Sequence, residues 1–81
     1  MFKFIPYSEI LKYLPEIIHK QVSVKARSPH QFIDMYRTYG VRLPTEWRKK
    51  RDSFIARTYA AYKLNPTRRR YLSLICWAFQ P

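Results

Sequence analysis

The chain contains few acidic residues, one glycine and one cysteine. Its 81 residues include 5 Asp+Glu against 16 Lys+Arg, so the formal net charge at neutral pH is +11. Because Cys76 is the sole cysteine, the sequence excludes an internal disulfide, and no Cys/His spacing typical of a metal site is present. We therefore expect a cytoplasmic or organelle-interior location.

Signals for export and for membrane insertion are also missing. Pro6, Ser8 and Glu9 interrupt the apolar start of the chain before the run of about 7 to 15 apolar residues that a secretory signal needs. The most apolar segment, 71–79, is far shorter than the about 20 residues of a transmembrane helix. We expect a protein that is not secreted and has no transmembrane segment.

Apolar and aromatic residues, in contrast, are plentiful. The chain is 47% hydrophobic and 17% aromatic, which is too rich for a disordered basic tail. A chain of this length forms one domain with a modest core. We therefore expect a single small basic domain over residues 1–81, and not a multidomain enzyme.

Helical spacing predicts the first helix. Apolar residues recur every three or four positions at Ile10, Leu11, Leu14, Ile17, Ile18 and Val22. The stripe runs through Pro15, which removes one helical hydrogen bond and crowds the preceding turn. The pattern predicts either a kink at Pro15 or a break into two short helices.

Proline, glycine and capping residues predict three further helices. The segment Ser28-Pro29-His30-Gln31 is typical of a capping box, and the helix that it starts should end at Gly40. The next helix should begin around 43–46 and run to about Leu64. Asn65 and Pro66 predict a last helix over 66–80. The expected fold is an all-α bundle of about four helices.

One side of the third helix is basic. Turning 100° per residue places Trp47, Phe54 and Tyr62 on one face. The opposite face should carry Lys49, Lys50, Ser53, Arg57 and Ala60. Small side chains there would allow a phosphate backbone to approach closely. Binding of phosphates and an ordinary solvated surface are the two interpretations of this face.

Three arginines occupy the start of the last helix. Arg68, Arg69 and Arg70 lie where the helix dipole is already positive, which is unfavourable without a compensating anion. A phosphate or an acidic surface would supply that anion. The alternative is that the arginines extend into water.

Apolar side chains surround the last helix almost completely. Either three helices enclose it, or one side remains open to a partner, in which case Trp77 and Phe79 would form the interface. This second possibility makes 66–80 a candidate interface-forming helix.

Catalytic and metal-binding motifs are missing from the sequence. The acids are scattered, no phosphate-binding glycine loop is present, and His19 and His30 do not form a metal-binding pattern. We expect no enzyme activity, no cofactor, no metal and no small-molecule substrate.

The favoured hypothesis is a nucleic-acid-binding protein whose partner is DNA or RNA. It would contact phosphates, largely without sequence preference, through Lys49, Lys50, Arg57 and Arg68–Arg70. A helix-turn-helix over 28–64 is a variant of this hypothesis. The alternative is a small inhibitor, adaptor or accessory subunit that docks on a nucleic-acid-processing enzyme or a ribonucleoprotein through its last helix.

Overall fold

The computed structural model describes residues 2–22, 26 and 31–81. Within these residues the chain forms four α-helices and no β-strand. They are α1 (Tyr7–His19), α2 (Phe32–Tyr39), α3 (Thr45–Leu64) and α4 (Arg68–Cys76), with a 3₁₀ turn at Gly40–Arg42 between α2 and α3. The predicted all-α class is confirmed.

Helix α1 passes through Pro15 without interruption. Pro15 and Leu11 both lie on the exposed side of the helix, so water can reach the Leu11 carbonyl that lacks its usual donor. The predicted break into two short helices is therefore wrong, while a kink stays a prediction.

Two non-glycine residues end helices in the left-handed region. Gln21 has a φ of 55°, and the Val22 amide donates to the Ile17 carbonyl at 3.0 Å, as in a Schellman motif. Ala78, with a φ of 61°, follows α4 with the same type of hydrogen bonding. Gly40 also has a positive φ, of 59°, and α2 ends before it as predicted.

The start of α2 differs from the capping-box prediction. Gln31 is extended at the N-cap, and the helix begins at Phe32, so Gln31 does not occupy the helical position expected for it. Ser28, Pro29 and His30 lie outside the described residues.

Helix α4 is shorter at both ends than predicted. Thr67, not Asn65, is the N-cap, and its hydroxyl accepts from the Arg70 amide at 3.1 Å. The helix ends at Cys76, because the chain turns at Trp77 and Ala78. The expected helix over 66–80 is thus reduced to Arg68–Cys76.

The core surrounds the second half of α4, which packs against both α1 and α3. The N-terminal segment joins this core, and the Ile5 amide donates to the Ala78 carbonyl at 2.9 Å. The buried hydrophobic residues are Ile10, Ile17, Val22, Ala26, Phe32, Ile33, Tyr36, Leu43, Ile55, Leu72, Leu74, Ile75, Cys76, Trp77 and Ala78. None of the helices in the described ranges has the length and apolar character needed to span a bilayer.

Candidate nucleic-acid interface

One face of α3 is exposed over most of the helix. It carries three cations, Lys49, Arg57 and Lys63, separated by small side chains. The small residues on this face are Ser53, Ala56 and Ala60, all of them exposed. Opposite them, the side of α3 that packs on the core holds Ile55. We call Lys49, Ser53, Ala56, Arg57, Ala60 and Lys63 the basic face, and its exposure agrees with the helical-wheel prediction.

Each of the five carboxylates already has a cationic partner within the chain. The ion pairs are Glu9–Lys12, Glu16–Arg68, Asp34–Arg37, Glu46–Lys50 and Asp52–Arg51. None of the three cations of the basic face forms an ion pair with these carboxylates. The cationic side chains of this face are accessible to solvent or to a ligand.

Lys50 differs from the other cations predicted on α3. Its Nζ lies 3.2 Å from a Glu46 carboxylate oxygen and 4.6 Å from the centre of the Trp47 ring. Sequence analysis missed this pairing, although Glu46 and Lys50 are four residues apart, the spacing at which helical side chains meet. Lys50 is thus partly neutralised and contributes less to the positive potential than Lys49 and Arg57.

The unfavourable charges at the start of α4 are compensated by the end of α1. Arg68 donates to both carboxylate oxygens of Glu16, at 2.9 and 2.8 Å. Arg69 donates to the Lys20 carbonyl at 2.8 Å and the Gln21 carbonyl at 3.3 Å, at the negative end of the α1 dipole. The expected conflict is therefore relieved within the protein for Arg68 and Arg69.

The Glu16–Arg68 pair also shifts the ionisation of both groups. Hydrogen bonding to Arg68 lowers the pKa of Glu16, and the same hydrogen bond raises the pKa of Arg68. The third arginine, Arg70, donates to the Asn65 carbonyl at 2.7 Å and remains partly accessible. Of the three arginines, Arg69 and Arg70 bind carbonyl oxygens and form no ion pair with a carboxylate, so each keeps its net positive charge.

Arg51 is the residue that sequence analysis missed. Its side chain is only 1% exposed. The guanidinium donates to the Trp77 carbonyl at 2.7 Å, the Phe2 carbonyl at 3.1 Å, the Lys3 carbonyl at 2.7 Å and the Ala78 carbonyl at 3.0 Å. One cation thus ties both ends of the chain to α3.

The surroundings of Arg51 explain how a charge is tolerated there. The guanidinium lies 3.8 Å from the centre of the Phe4 ring, and Asp52 is 3.8 Å away. Burial lowers the pKa of Arg51 to about 10, so it remains charged at neutral pH. The sequence did contain one indication that Arg51 is buried. It lies four residues after Trp47 and four before Ile55, and both of these residues are on the apolar side of α3.

The two predicted interface aromatics occupy different environments. Trp77 is 6% exposed and packs against Phe32 and Phe54, with ring centroids 4.9 and 4.8 Å apart. Phe79 is half-buried, with its ring against those of Phe2 and Tyr59. Trp77 belongs to the core because rings from α2 and α3 pack around it. Its expected position on a binding surface is corrected accordingly.

Two further observations concern function. Within residues 2–22, 26 and 31–81, no group of three His, Cys, Asp or Glu side chains is arranged to hold a metal ion. Comparison with protein-family models, characterised proteins and solved structures gave no match to this chain. Functional inference therefore depends on the surface itself.

Proposed function

We propose that this protein binds nucleic acids by contacting phosphates through the basic face of α3, with Arg69 and Arg70 adding to the positive potential. The observation that carries the proposal is the exposed face of α3 whose three cations form no ion pair with a carboxylate of the chain. Such a surface attracts polyanions, and binding releases their condensed counterions.

The dimensions of α3 suit a phosphate backbone. At 1.5 Å per residue, Lys49 and Arg57 lie about 12 Å apart along the helix axis, and Lys49 and Lys63 about 21 Å apart. Successive phosphates of one strand are spaced by about 3.4 Å along a duplex. The face can therefore contact several phosphates at once, and Ser53, Ala56 and Ala60 leave room for the backbone between the cations.

The composition of the basic face favours binding with little sequence preference. Reading adenine in the major groove typically requires Asn or Gln, and reading cytosine typically requires Asp or Glu. The basic face contains none of these residues, and its Lys and Arg side chains can read guanine alone. Lysine and arginine contacts to phosphates fix position without carrying sequence information.

The hypothesis of a docking subunit has less support. It relied on Trp77 and Phe79 as apolar anchors, and Trp77 is buried among Phe32, Phe54 and Trp47. We therefore propose nucleic-acid binding. Docking on a protein partner is the alternative, and it would be favoured if the following experiment detects no specific binding to the oligonucleotide.

The test is a charge reversal on the basic face. We expect Lys49→Glu/Arg57→Glu to weaken binding to a labelled oligonucleotide by at least about tenfold at about 100 mM salt, because two phosphate contacts become repulsive. The matched control is Lys3→Glu/Arg42→Glu, which makes the same change in net charge. Both control residues are exposed and lie outside α3: the Lys3 carbonyl binds Arg51 on the core side of α3, and Arg42 belongs to the 3₁₀ turn that precedes the helix.

Comparing the two variants shows whether binding depends on a local site on α3 or only on the net charge of the protein. Equal weakening by the two variants would contradict a site on α3. Unchanged binding by the Lys49/Arg57 variant would refute the proposal, provided that thermal melts show both variants folded.

A further inference from the structure

A surface groove lies where the end of α3 meets the start of α4. Tyr62, Pro66, Thr67, Arg68 and Tyr71 line it, and its volume is about 330 Å³. The two tyrosines are half-buried, whereas the other three residues are exposed, so the groove opens to solvent with aromatic rings at its base. An apolar base with a polar rim suits a flat, partly polar ligand.

The aromatic rings of the groove are held in place by their neighbours. The centroids of Tyr62 and Tyr71 are 6.2 Å apart, with the rings tilted by 45°. Gln80 donates to the Tyr71 hydroxyl at 3.2 Å, and the Arg68 guanidinium lies 5.2 Å from the centre of the Tyr71 ring. Because Glu16 holds Arg68 from the other side, the groove is arranged before any ligand arrives.

The rim of the groove is cationic. Residues 53–81 contain no acidic residue, and Glu16, which approaches from α1, is engaged by Arg68. Arg68 is the cation that lines the groove. Arg70 donates to the Asn65 carbonyl, and the Lys63 Nζ lies 4.7 Å from the centre of the Tyr59 ring, so both are next to lining residues in sequence but outside the lining itself. The groove thus combines ring surfaces with positive charge, the combination that binds single-stranded nucleic acids.

We propose that this groove binds one unpaired base of single-stranded nucleic acid, stacked on Tyr62, while Lys63 and Arg70 hold the adjoining phosphates. This inference rests on the proposed function and adds to it a preference for single-stranded over duplex nucleic acid. In a duplex the faces of the bases are covered by their neighbours, so the groove distinguishes single strands from duplexes, whereas the basic face binds both.

The test compares single-strand and duplex affinity across three variants. The probes are a labelled oligothymidine of about 12 nucleotides and a labelled duplex of the same length. Tyr62→Leu removes the stacking ring and keeps apolar volume, whereas Tyr62→Phe keeps the ring. Tyr39→Leu is the matched control, because Tyr39 is an exposed tyrosine, 48% accessible, at the end of α2.

We expect Tyr62→Leu to weaken single-strand binding by about tenfold and duplex binding by less than about twofold, since stacking acts on unpaired bases alone. Tyr62→Phe and Tyr39→Leu should retain wild-type affinity. In an oligothymidine that carries one 2-aminopurine, wild-type protein should quench the fluorescence of that base, and Tyr62→Leu should not.

The results distinguish failure of the groove assignment from failure of the proposed function. Equal effects of Tyr62→Leu on the two probes, or no effect on either, would overturn the groove assignment while leaving phosphate binding intact. If wild-type protein binds neither probe, the groove assignment and the proposed function both fail. Thermal melts of Tyr62→Leu and Tyr62→Phe show whether a loss of binding reflects unfolding.

Discussion

Replacing Arg51 should damage the fold more than replacing any other cation described here. Arg51→Met keeps a flexible apolar stem of similar reach but removes the guanidinium. Four backbone carbonyls then lose their charged hydrogen-bond donor, those of Phe2, Lys3, Trp77 and Ala78. Both ends of the chain are released from α3 by this single change.

The magnitude follows from the number of bonds and from their burial. A hydrogen bond to a charged group contributes about 1.5 to 3 kcal/mol, but removing the guanidinium also relieves its desolvation cost. Each buried carbonyl left without a donor costs about 1 to 3 kcal/mol, and with four carbonyls affected and the desolvation cost relieved we expect a net loss of about 3 to 5 kcal/mol for Arg51→Met. A chain of this size has a total stability of about 4 to 12 kcal/mol, so the loss is a large part of it.

Thermal melts followed by circular dichroism measure this effect. Since about 1 kcal/mol corresponds to about 4 to 8 °C in a domain of this size, Arg51→Met should lower Tm by at least about 12 °C. Arg51→Lys should fall between wild type and Arg51→Met, because an ammonium keeps the charge but lacks the planar fork of donors. The control is Arg48→Met, whose wild-type side chain is exposed and makes one long contact of 3.4 Å, to the Val41 carbonyl. Similar Tm values for Arg51→Met and Arg48→Met would refute the structural role of Arg51.

Two further predictions concern the contacts at the end of α1. Because Arg68 lowers the pKa of Glu16, their pair stabilises the fold above the ordinary carboxyl pKa and loses this contribution as pH falls through the lowered value. Glu16→Gln should therefore lower Tm at neutral pH, and its difference from wild type should shrink as pH falls below the ordinary carboxyl pKa and through the lowered one. A difference that persists unchanged at low pH would contradict the pairing. Gln21→Gly should raise the free energy of unfolding by about 0.5 to 1 kcal/mol in urea, because glycine adopts the positive φ of 55° without strain. A destabilised Gln21→Gly protein would show that the side chain has a role beyond this turn.

The presence of the helices could be predicted from patterns within short segments of the sequence. The apolar spacing of α1 and the long pattern of α3 lie within single segments, and α2 and α3 end where Gly40 and Asn65 predict. Local signals were weaker at the start of α4, where Asn65 and Thr67 both suit an N-cap. The structure selects Thr67, because the chain is still extended there and its hydroxyl reaches the Arg70 amide.

The parts of the site that were missed depend on contacts between distant residues. Arg51 binds Phe2, which lies 49 residues away in sequence, so its role is invisible in any short window. The same holds for Glu16 and Arg68, 52 residues apart, whose pairing neutralises one of the three arginines at the start of α4. The basic face of α3 needed no such contact, because helical periodicity alone places Lys49 and Arg57 away from the apolar side.

The most direct test of nucleic-acid binding is fluorescence anisotropy of a labelled oligonucleotide with purified, nuclease-treated protein, from about 50 to about 400 mM salt. We expect a Kd of about 1 to 100 μM near physiological salt. With three to five phosphates neutralised, log affinity of a single strand should fall against log salt with a slope of about −2 to −3.5. A slope near zero, or a Kd in the millimolar range at about 100 mM salt, would contradict phosphate binding by this protein.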